Sequence, residues 1–180
     1  GGAGVLGGAA TCNGGDGGSL AGPSSVADLP AIILGGGEPV AVPTTEATDV
    51  RLLAEDVRRA ITPRTRAILL GFPNNPTGAV LLPEDVAGIA ALAKEHDLLV
   101  YSDEIYDRLV YGAAHRSILN EHDMKERTVY LAGFSKAYAM TGWRVGYACA
   151  PAEIIEQMMK MHPSTVMCVP TAEQYAAPEA

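Results

Sequence analysis

The sequence lacks the features that would place it in a membrane or on a nucleic acid. No apolar run reaches the roughly 18 to 20 residues of a transmembrane helix, and no basic segment followed by an apolar one opens the chain. The net charge is −8, and acidic and basic residues are interleaved over the second half. This balance argues against nucleic acid or an anionic membrane as the main partner. We therefore expect a cytoplasmic protein with neither kind of partner.

Cysteine and histidine are too sparse for a disulfide framework or a metal site. The three cysteines are an odd number and form no CxxC pair. The four histidines do not have the spacing of metal ligands. We therefore expect no metal in this protein.

Glycine is distributed unevenly along the 180 residues. Most of the 20 glycines lie within residues 1–37, in runs that leave few side chains to pack. Residues 38–180 have the composition of an ordinary globular domain, and their length allows a well-buried core. The glycine-rich start is typical of a flexible linker, or it is a formerly regular segment that has lost side-chain information. The residues alone leave both explanations open.

Beyond residue 37, short apolar runs alternate with amphipathic segments. The patterns predict strands at 38–42, 66–72, 97–103, 128–132 and 144–150, and helices at 49–61, 83–96 and 152–161. This alternation predicts an α/β protein, a three-layer α/β/α arrangement with a mostly parallel sheet. In such a sheet the ligand lies beyond the carboxyl ends of the strands. We therefore expect functional residues where strands end.

Three predicted strands are followed by candidate functional residues. Asn75 lies in an Asn-Asn-Pro-Thr-Gly turn, Asp103 ends the next strand, and Lys136 follows the third. Taken singly, each residue has an ordinary explanation as a turn residue, a cap or a surface charge. Their order on three strand ends instead predicts a single ligand site.

The most distinctive segment is GFSKAYAMTGWRVG, residues 133–146. The primary amine of Lys136 can form a Schiff base with an aldehyde. The guanidinium of Arg144 can clamp a phosphate through paired charge-assisted hydrogen bonds. Pyridoxal 5′-phosphate carries both groups. The segment resembles the lysine signature of the class I/II aminotransferases, which are fold type I pyridoxal-phosphate enzymes, and among them the aspartate aminotransferase-like members.

The resemblance implies a catalytic role for three residues. Lys136 would hold the cofactor as an internal aldimine and would later move the proton of the substrate α-carbon. Asp103 would pair with the pyridine nitrogen and keep it protonated, so that the ring can accept electrons. Tyr106, together with Asn75, would donate hydrogen bonds to the phenolate oxygen of the ring.

The resemblance also implies how the phosphate is held. Arg144 would bind it, with Ser135 as a helper. Ala3 and Gly4 stand where the family has a glycine-rich turn that opens a helix, whose backbone N–H groups bind phosphate.

By the same resemblance, residues 38–180 form the pyridoxal-phosphate-binding large domain, and residues 1–37 are its glycine-rich, degenerate start. The N-terminal arm and the small C-terminal domain of family members have no counterpart here. The implied activity is transfer of an amino group between an amino acid and a 2-oxo acid by a homodimer.

Three alternatives remain open at this point. Same-fold lyases that act by elimination or on carbon–sulfur bonds share every residue named above. Fold type I domains also occur in cofactor-sensing regulators, although a basic helix-turn-helix segment is missing from this sequence. The third alternative is a folded but inactive remnant.

Overall fold

A computed structural model describes residues 9–13 and 32–180 of the chain. These residues form a six-stranded sheet flanked by helices. The strands are β1 (Ala9–Asn13), β2 (Glu38–Ala41), β3 (Thr65–Gly71), β4 (Leu99–Asp103), β5 (Thr128–Gly133) and β6 (Gly146–Cys149). The helices are α1 (Ala54–Ala60), α2 (Pro83–Glu95), α3 (Ala152–Thr165) and α4 (Thr171–Ala176).

The strand order across the sheet is β2-β1-β3-β4-β5-β6. Strands β3, β4 and β5 pair in parallel, whereas β1 is antiparallel to both β2 and β3, and β6 is antiparallel to β5. Four strands, β2 to β5, therefore run in one direction, with β1 and β6 opposed to them. The predicted α/β class with a mostly parallel sheet is confirmed.

One connection and one strand differ from the sequence prediction. Strand β6 follows β5 through the loop at 134–145 without an α-helix, because antiparallel neighbours need no crossover. Strand β1 lies within the glycine-rich stretch and pairs with both β2 and β3. Residues 9–13 are thus part of the sheet and not of a linker. The division of the chain at residue 37 remains a prediction.

The predicted strands that begin after residue 37 agree with the observed bounds to within two residues, but two helices differ more. Helix α1 begins at Ala54, later than expected, because Asp49 and Val50 have left-handed φ values of 52° and 58° that an α-helix does not contain. Helix α3 continues to Thr165 and includes Pro163. The proline has no N–H to donate to the carbonyl of Met159, so the last turn lacks one helical hydrogen bond.

The main core contains side chains from β3, β4, α1 and α2. Val57 of α1, Ile68 of β3, Ile89 of α2 and Val100 of β4 are all fully buried. Helix α2 has a buried apolar face, as its 3.6-residue period predicts. Burial of this face against the sheet is the main source of stability for the helix.

Asp85 fixes the start of α2. Its carboxylate accepts a hydrogen bond from the backbone N–H of Leu82 at 2.9 Å and pairs with Arg51 at 2.6 Å, while Pro83 occupies the first turn. The side chain is only 5% exposed. A buried carboxylate at a helix N-terminus is stabilised by the free N–H groups there and by the helix dipole.

Helices α3 and α4 bury no side chain. Large apolar residues in and beside them are exposed, including Met161, Met167 and Tyr175. Among residues 9–13 and 32–180, no helix is long and apolar enough to cross a membrane.

The contact between α1 and α2 depends on a missing side chain at Gly88. A Cβ added there would lie 2.7 Å from the Cβ of Ala54. We predict that Gly88→Ala lowers the free energy of unfolding in urea. Overpacking costs about 1–3 kcal/mol, and we expect this cost to exceed the roughly 1 kcal/mol gain in helix propensity. In an Ala54→Gly background the loss should disappear. An equal effect in both backgrounds would contradict the steric explanation.

Candidate active site

The carboxyl ends of three parallel strands meet at one edge of the sheet. Gly71 at the end of β3 pairs with Asp103 at the end of β4, and Asp103 pairs with Leu131 near the end of β5. Strand β6 begins at this edge as well, because it runs antiparallel and its Gly146 pairs with Gly133. The segments that follow β3, β4 and β5, and the segment that precedes β6, therefore lie side by side.

The turn after β3 is held from within by Asn74. The buried Asn74 side chain donates to the carbonyl of Gly71 at 3.2 Å and accepts from the hydroxyl of Thr77 at 2.8 Å. Gly78 closes the turn with a φ of +72°, and its N–H donates to the Asn74 carbonyl at 2.8 Å. Glycine suits this position because L-residues rarely adopt positive φ. The turn leaves the neighbouring Asn75 exposed at the edge.

Three predicted site residues line one pocket. Asn75, Asp103 and Tyr106 surround a volume of about 20 Å³ together with Gly71, Pro73 and Ile105. The Asn75 amide donates to the Tyr106 hydroxyl at 3.3 Å, and an oxygen of the half-buried Asp103 carboxylate accepts from the N–H of Ile105 at 3.1 Å. A volume this small accommodates one edge of a ring-sized ligand, with the rest above the opening.

Lys136 faces the same tyrosine. Its amine lies 5.7 Å from the centroid of the Tyr106 ring, within the range of a cation–π contact. The Lys136 side chain is exposed. The edge thus combines a primary amine, a carboxylate, an amide and a phenol.

The loop at 134–145 closes on itself and brings Arg144 back to the edge. The N–H of Phe134 donates to the carbonyl of Val145 at 3.1 Å. The Thr141 hydroxyl donates to the carbonyl of the half-buried Ser135 at 2.8 Å, and the Arg144 guanidinium donates to the carbonyl of Thr141 at 2.9 Å. Arg144 has a left-handed φ of 55°. Such strain at a non-glycine residue is a common sign of a functional position.

Aromatic rings brace the base of this loop. The Phe134 ring lies 5.3 Å from that of Tyr138 and 6.0 Å from that of Tyr147, and Tyr147 lies 6.2 Å from Tyr130. Burial, with the nearby Glu104 carboxylate as the next cause, raises the pKa of the Tyr130 hydroxyl far above its ordinary value. Tyr130 therefore remains a neutral hydrogen-bonding group at any ordinary working pH.

Glu104 and His115 belong to this region but are not predicted by the sequence patterns. Glu104 is 1% exposed, and its carboxylate contacts His115 and two serine hydroxyls. The signal available in the sequence is an ionisable residue directly after a buried strand, and Asp103 carries the same signal one residue earlier.

Two predicted residues cannot be compared with the structure. Ala3 and Gly4 lie outside the described residues. Within residues 9–13 and 32–180, no group of three or more histidine, cysteine or acidic side chains is arranged to hold a metal ion.

Together, the fold and the edge define an α/β protein whose ligand-binding groups collect at the carboxyl ends of parallel strands. Comparison with known proteins identifies the family. Residues 2–180 match the family model of aminotransferase class I and II. The chain belongs to this family.

Individual relatives agree with the family. The chain is 46% identical to aromatic-amino-acid aminotransferase 2 of Thermococcus litoralis over 159 residues, which is 88% of this chain and 41% of that protein. It is 45% identical to an aspartate aminotransferase of Pyrococcus abyssi over the same shares. The crystal structure of the aromatic aminotransferase from Pyrococcus horikoshii superposes with a TM-score of 0.84 at 46% identity, covering 87% of this chain and 42% of that one. The chain thus spans about two fifths of the length of these relatives.

Gly133 keeps β5 close to β6 at the base of the loop at 134–145, which contains Lys136 and is called the lysine loop from here on. An added Cβ would lie 2.9 Å from the carbonyl oxygen of Val145 and 3.1 Å from Ile105 Cδ1. We predict that Gly133→Ala lowers the free energy of unfolding by about 1–3 kcal/mol, because backbone must move.

Gly142 of the same loop is the matched control, since nothing lies within 4 Å of a Cβ placed there. Gly142→Ala should change the free energy of unfolding in urea by less than about 0.5 kcal/mol. Equal losses at the two glycines would contradict the close-approach explanation.

Proposed function

We propose that this chain is the cofactor-binding part of a pyridoxal-phosphate-dependent aminotransferase, which transfers an amino group between an amino acid and a 2-oxo acid. The observation that supports it most is the shared pocket of Asn75, Asp103 and Tyr106, with the amine of Lys136 above the Tyr106 ring. The sequence predicts a single ligand site from residues on three strand ends, and the closeness of these side chains supports it.

The chemical groups at the edge fit those of pyridoxal phosphate. A primary amine matches the aldehyde, a carboxylate matches the protonated ring nitrogen, and amide and phenol donors match the phenolate oxygen. A guanidinium with N–H groups beyond its bond to Thr141 matches the phosphate. When bound, the cofactor supplies an electron sink for the carbanion that forms when the substrate α-carbon loses its proton.

Lys136 and Asp103 have distinct tasks in this proposal. The Lys136 amine would hold the cofactor through its aldehyde, and as a free amine it would be the base that takes and returns the proton at the substrate α-carbon. Asp103 holds a proton on the ring nitrogen, and its own bond from the Ile105 N–H fixes the direction of the carboxylate.

The remaining residues anchor and orient. The side chains of Asn75 and Tyr106 lie within hydrogen-bonding distance of each other, so both would be available to donate to a phenolate oxygen. Arg144 binds the phosphate, with Ser135 one helper in the same loop. Backbone N–H groups at Ala3 and Gly4 are a further proposed contribution.

The relatives favour amino transfer over elimination, because those compared above are named aminotransferases. They differ in substrate, one being named for aromatic amino acids and the other for aspartate. The activity of the whole protein, its assembly as a homodimer and its cytoplasmic location are predictions, since the chain spans 41% of these relatives.

The assignment of Lys136 is tested by spectroscopy. We predict that the chain mixed with pyridoxal phosphate develops a visible absorbance band, and that borohydride then fixes the cofactor mass on the peptide containing Lys136. Lys136→Ala should abolish both signals because it removes the amine.

Lys160→Ala is the control for that experiment, since Lys160 is exposed on α3 and bonds only locally to Gln157. It should behave as the parent does. A band of equal strength in the Lys136 variant would sink the assignment.

The reaction class is tested with an amino-acid donor. We predict conversion of bound cofactor to its pyridoxamine form with release of a 2-oxo acid, measured by mass spectrometry. Asp103→Asn should retain part of the cofactor binding but lose exchange of the substrate α-proton with deuterated solvent, because an amide does not hold the ring nitrogen protonated. Elimination products, or exchange that survives in the variant, would refute this mechanism.

A further inference from the structure

The edge of the sheet at which β3, β4 and β5 end, called the active edge from here on, presents residues alternately to two cavities. Gly71, Pro73, Asp103 and Ile105 line the pocket proposed for the cofactor. Their neighbours Leu70, Phe72, Ser102 and Glu104 line a second, smaller cavity together with His115 and Ile118. Since successive strand residues point to opposite faces, Glu104 is directed away from the cofactor pocket.

The Glu104 carboxylate is almost completely buried and has a side-chain partner for each oxygen. One oxygen accepts from the hydroxyls of Ser102 at 2.9 Å and Ser117 at 2.8 Å. The other lies 2.5 Å from His115 Nε2. Burial of a carboxylate is unfavourable unless it is bonded in this way. The partners come from two segments, the end of β4 and the stretch 115–117, which lies 11 to 13 residues further along the chain.

The second segment is itself anchored. The Ser117 hydroxyl also accepts from the N–H of Leu119 and so caps the short helical turn Ile118–Asn120, in which Ile118 is buried. Arg116 pairs with Glu121 at 2.7 Å. The stretch 115–121 is thus a fixed support behind the end of β4.

The backbone of Glu104 connects this support to the cofactor pocket. Its N–H donates to the carbonyl of Leu131 on β5 at 2.9 Å, and its carbonyl accepts from the N–H of Asp107 at 2.9 Å. Glu104 therefore starts the turn that carries Tyr106, and it directly follows Asp103. Any displacement of Glu104 therefore moves Asp103 and Tyr106.

We propose that Glu104 is a positioning residue, which holds the Asp103 carboxylate and the Tyr106 hydroxyl at the cofactor through its buried bonds to Ser102, His115 and Ser117. The inference rests on the proposed cofactor site. Glu104 does not touch the cofactor in this arrangement. Its effect is geometric, so an uncharged group of the same shape that keeps the serine bonds retains it.

The test compares the full chain with its Glu104→Ala, Glu104→Gln and Asp85→Ala variants. Asp85 is the matched control, because it is also a buried, hydrogen-bonded carboxylate but serves the start of α2 and not the active edge. Each protein is titrated with pyridoxal 5′-phosphate by absorbance. The pH midpoint of the bound cofactor band and thermal unfolding without cofactor are measured in parallel.

We expect Glu104→Ala to weaken pyridoxal-phosphate binding by roughly tenfold to a hundredfold, the usual effect of removing a supporting residue behind a site. It should also shift the pH midpoint of the band, which depends on where Asp103 and Tyr106 lie. Glu104→Gln should restore most of both properties. Asp85→Ala should destabilise the fold but keep the affinity within about twofold of the parent, because Asp85 bonds to Leu82 and Arg51 and not to the residues that hold Asp103 and Tyr106.

The proposal is overturned if Glu104→Ala binds the cofactor and titrates as Asp85→Ala does, or if Glu104→Gln fails to recover. If Glu104→Ala does not fold, Ser102→Ala removes one of the two serine bonds to the carboxylate and decides instead. In that variant, a weaker affinity for pyridoxal 5′-phosphate with a shifted pH midpoint supports the proposal. An unchanged affinity with an unchanged midpoint refutes it. A parent chain without a Lys136-dependent band refutes the proposed function itself, a separate result.

Discussion

The parallel pairing of β3, β4 and β5 is the constraint on which the rest of the structure depends. Because Gly71, Asp103 and Leu131 are in register, the chain leaves all three strands at the same level. Functional residues that are far apart in sequence therefore become neighbours. The pairing of the strands brings them together, and no contact between their side chains is needed. Apolar burial under α1 and α2 stabilises this register, since a slip would turn the apolar side chains of the strands away from the core.

At the active edge, one face of the strand ends lines the pocket and the other face supports it from behind. Asp103 and Tyr106 face the pocket, while the buried Glu104 carboxylate is held behind them by its bonds to His115, Ser102 and Ser117. Catalytic geometry needs such support, because residues packed behind a site hold its functional groups in the productive arrangement. The lysine loop is held in a different way, by backbone hydrogen bonds and by the aromatic contacts of Phe134.

The sequence predicted the parts of the structure that depend on local pattern. The apolar runs of β3 and β4 and the amphipathic period of α2 locate these elements closely, because each buries its own repeating face. The later start of α1 was missed because its cause is the left-handed backbone at Asp49 and Val50, which composition does not reveal. Glu104 was missed for a tertiary reason, since its partners His115 and Ser117 reach it only after the chain has turned back.

The antiparallel return of β6 has a consequence for the order in which the chain assembles. Parallel partners such as Ile68 and Val100 must close a long intervening chain before they gain a contact, whereas Gly133 and Gly146 are separated by only one short loop. Closure of short loops costs less entropy, and contacts local in sequence form faster. The segment that bears the amine and the guanidinium can therefore reach its internal arrangement as an early local unit, before the long-range parallel pairing delivers the carboxylate to it.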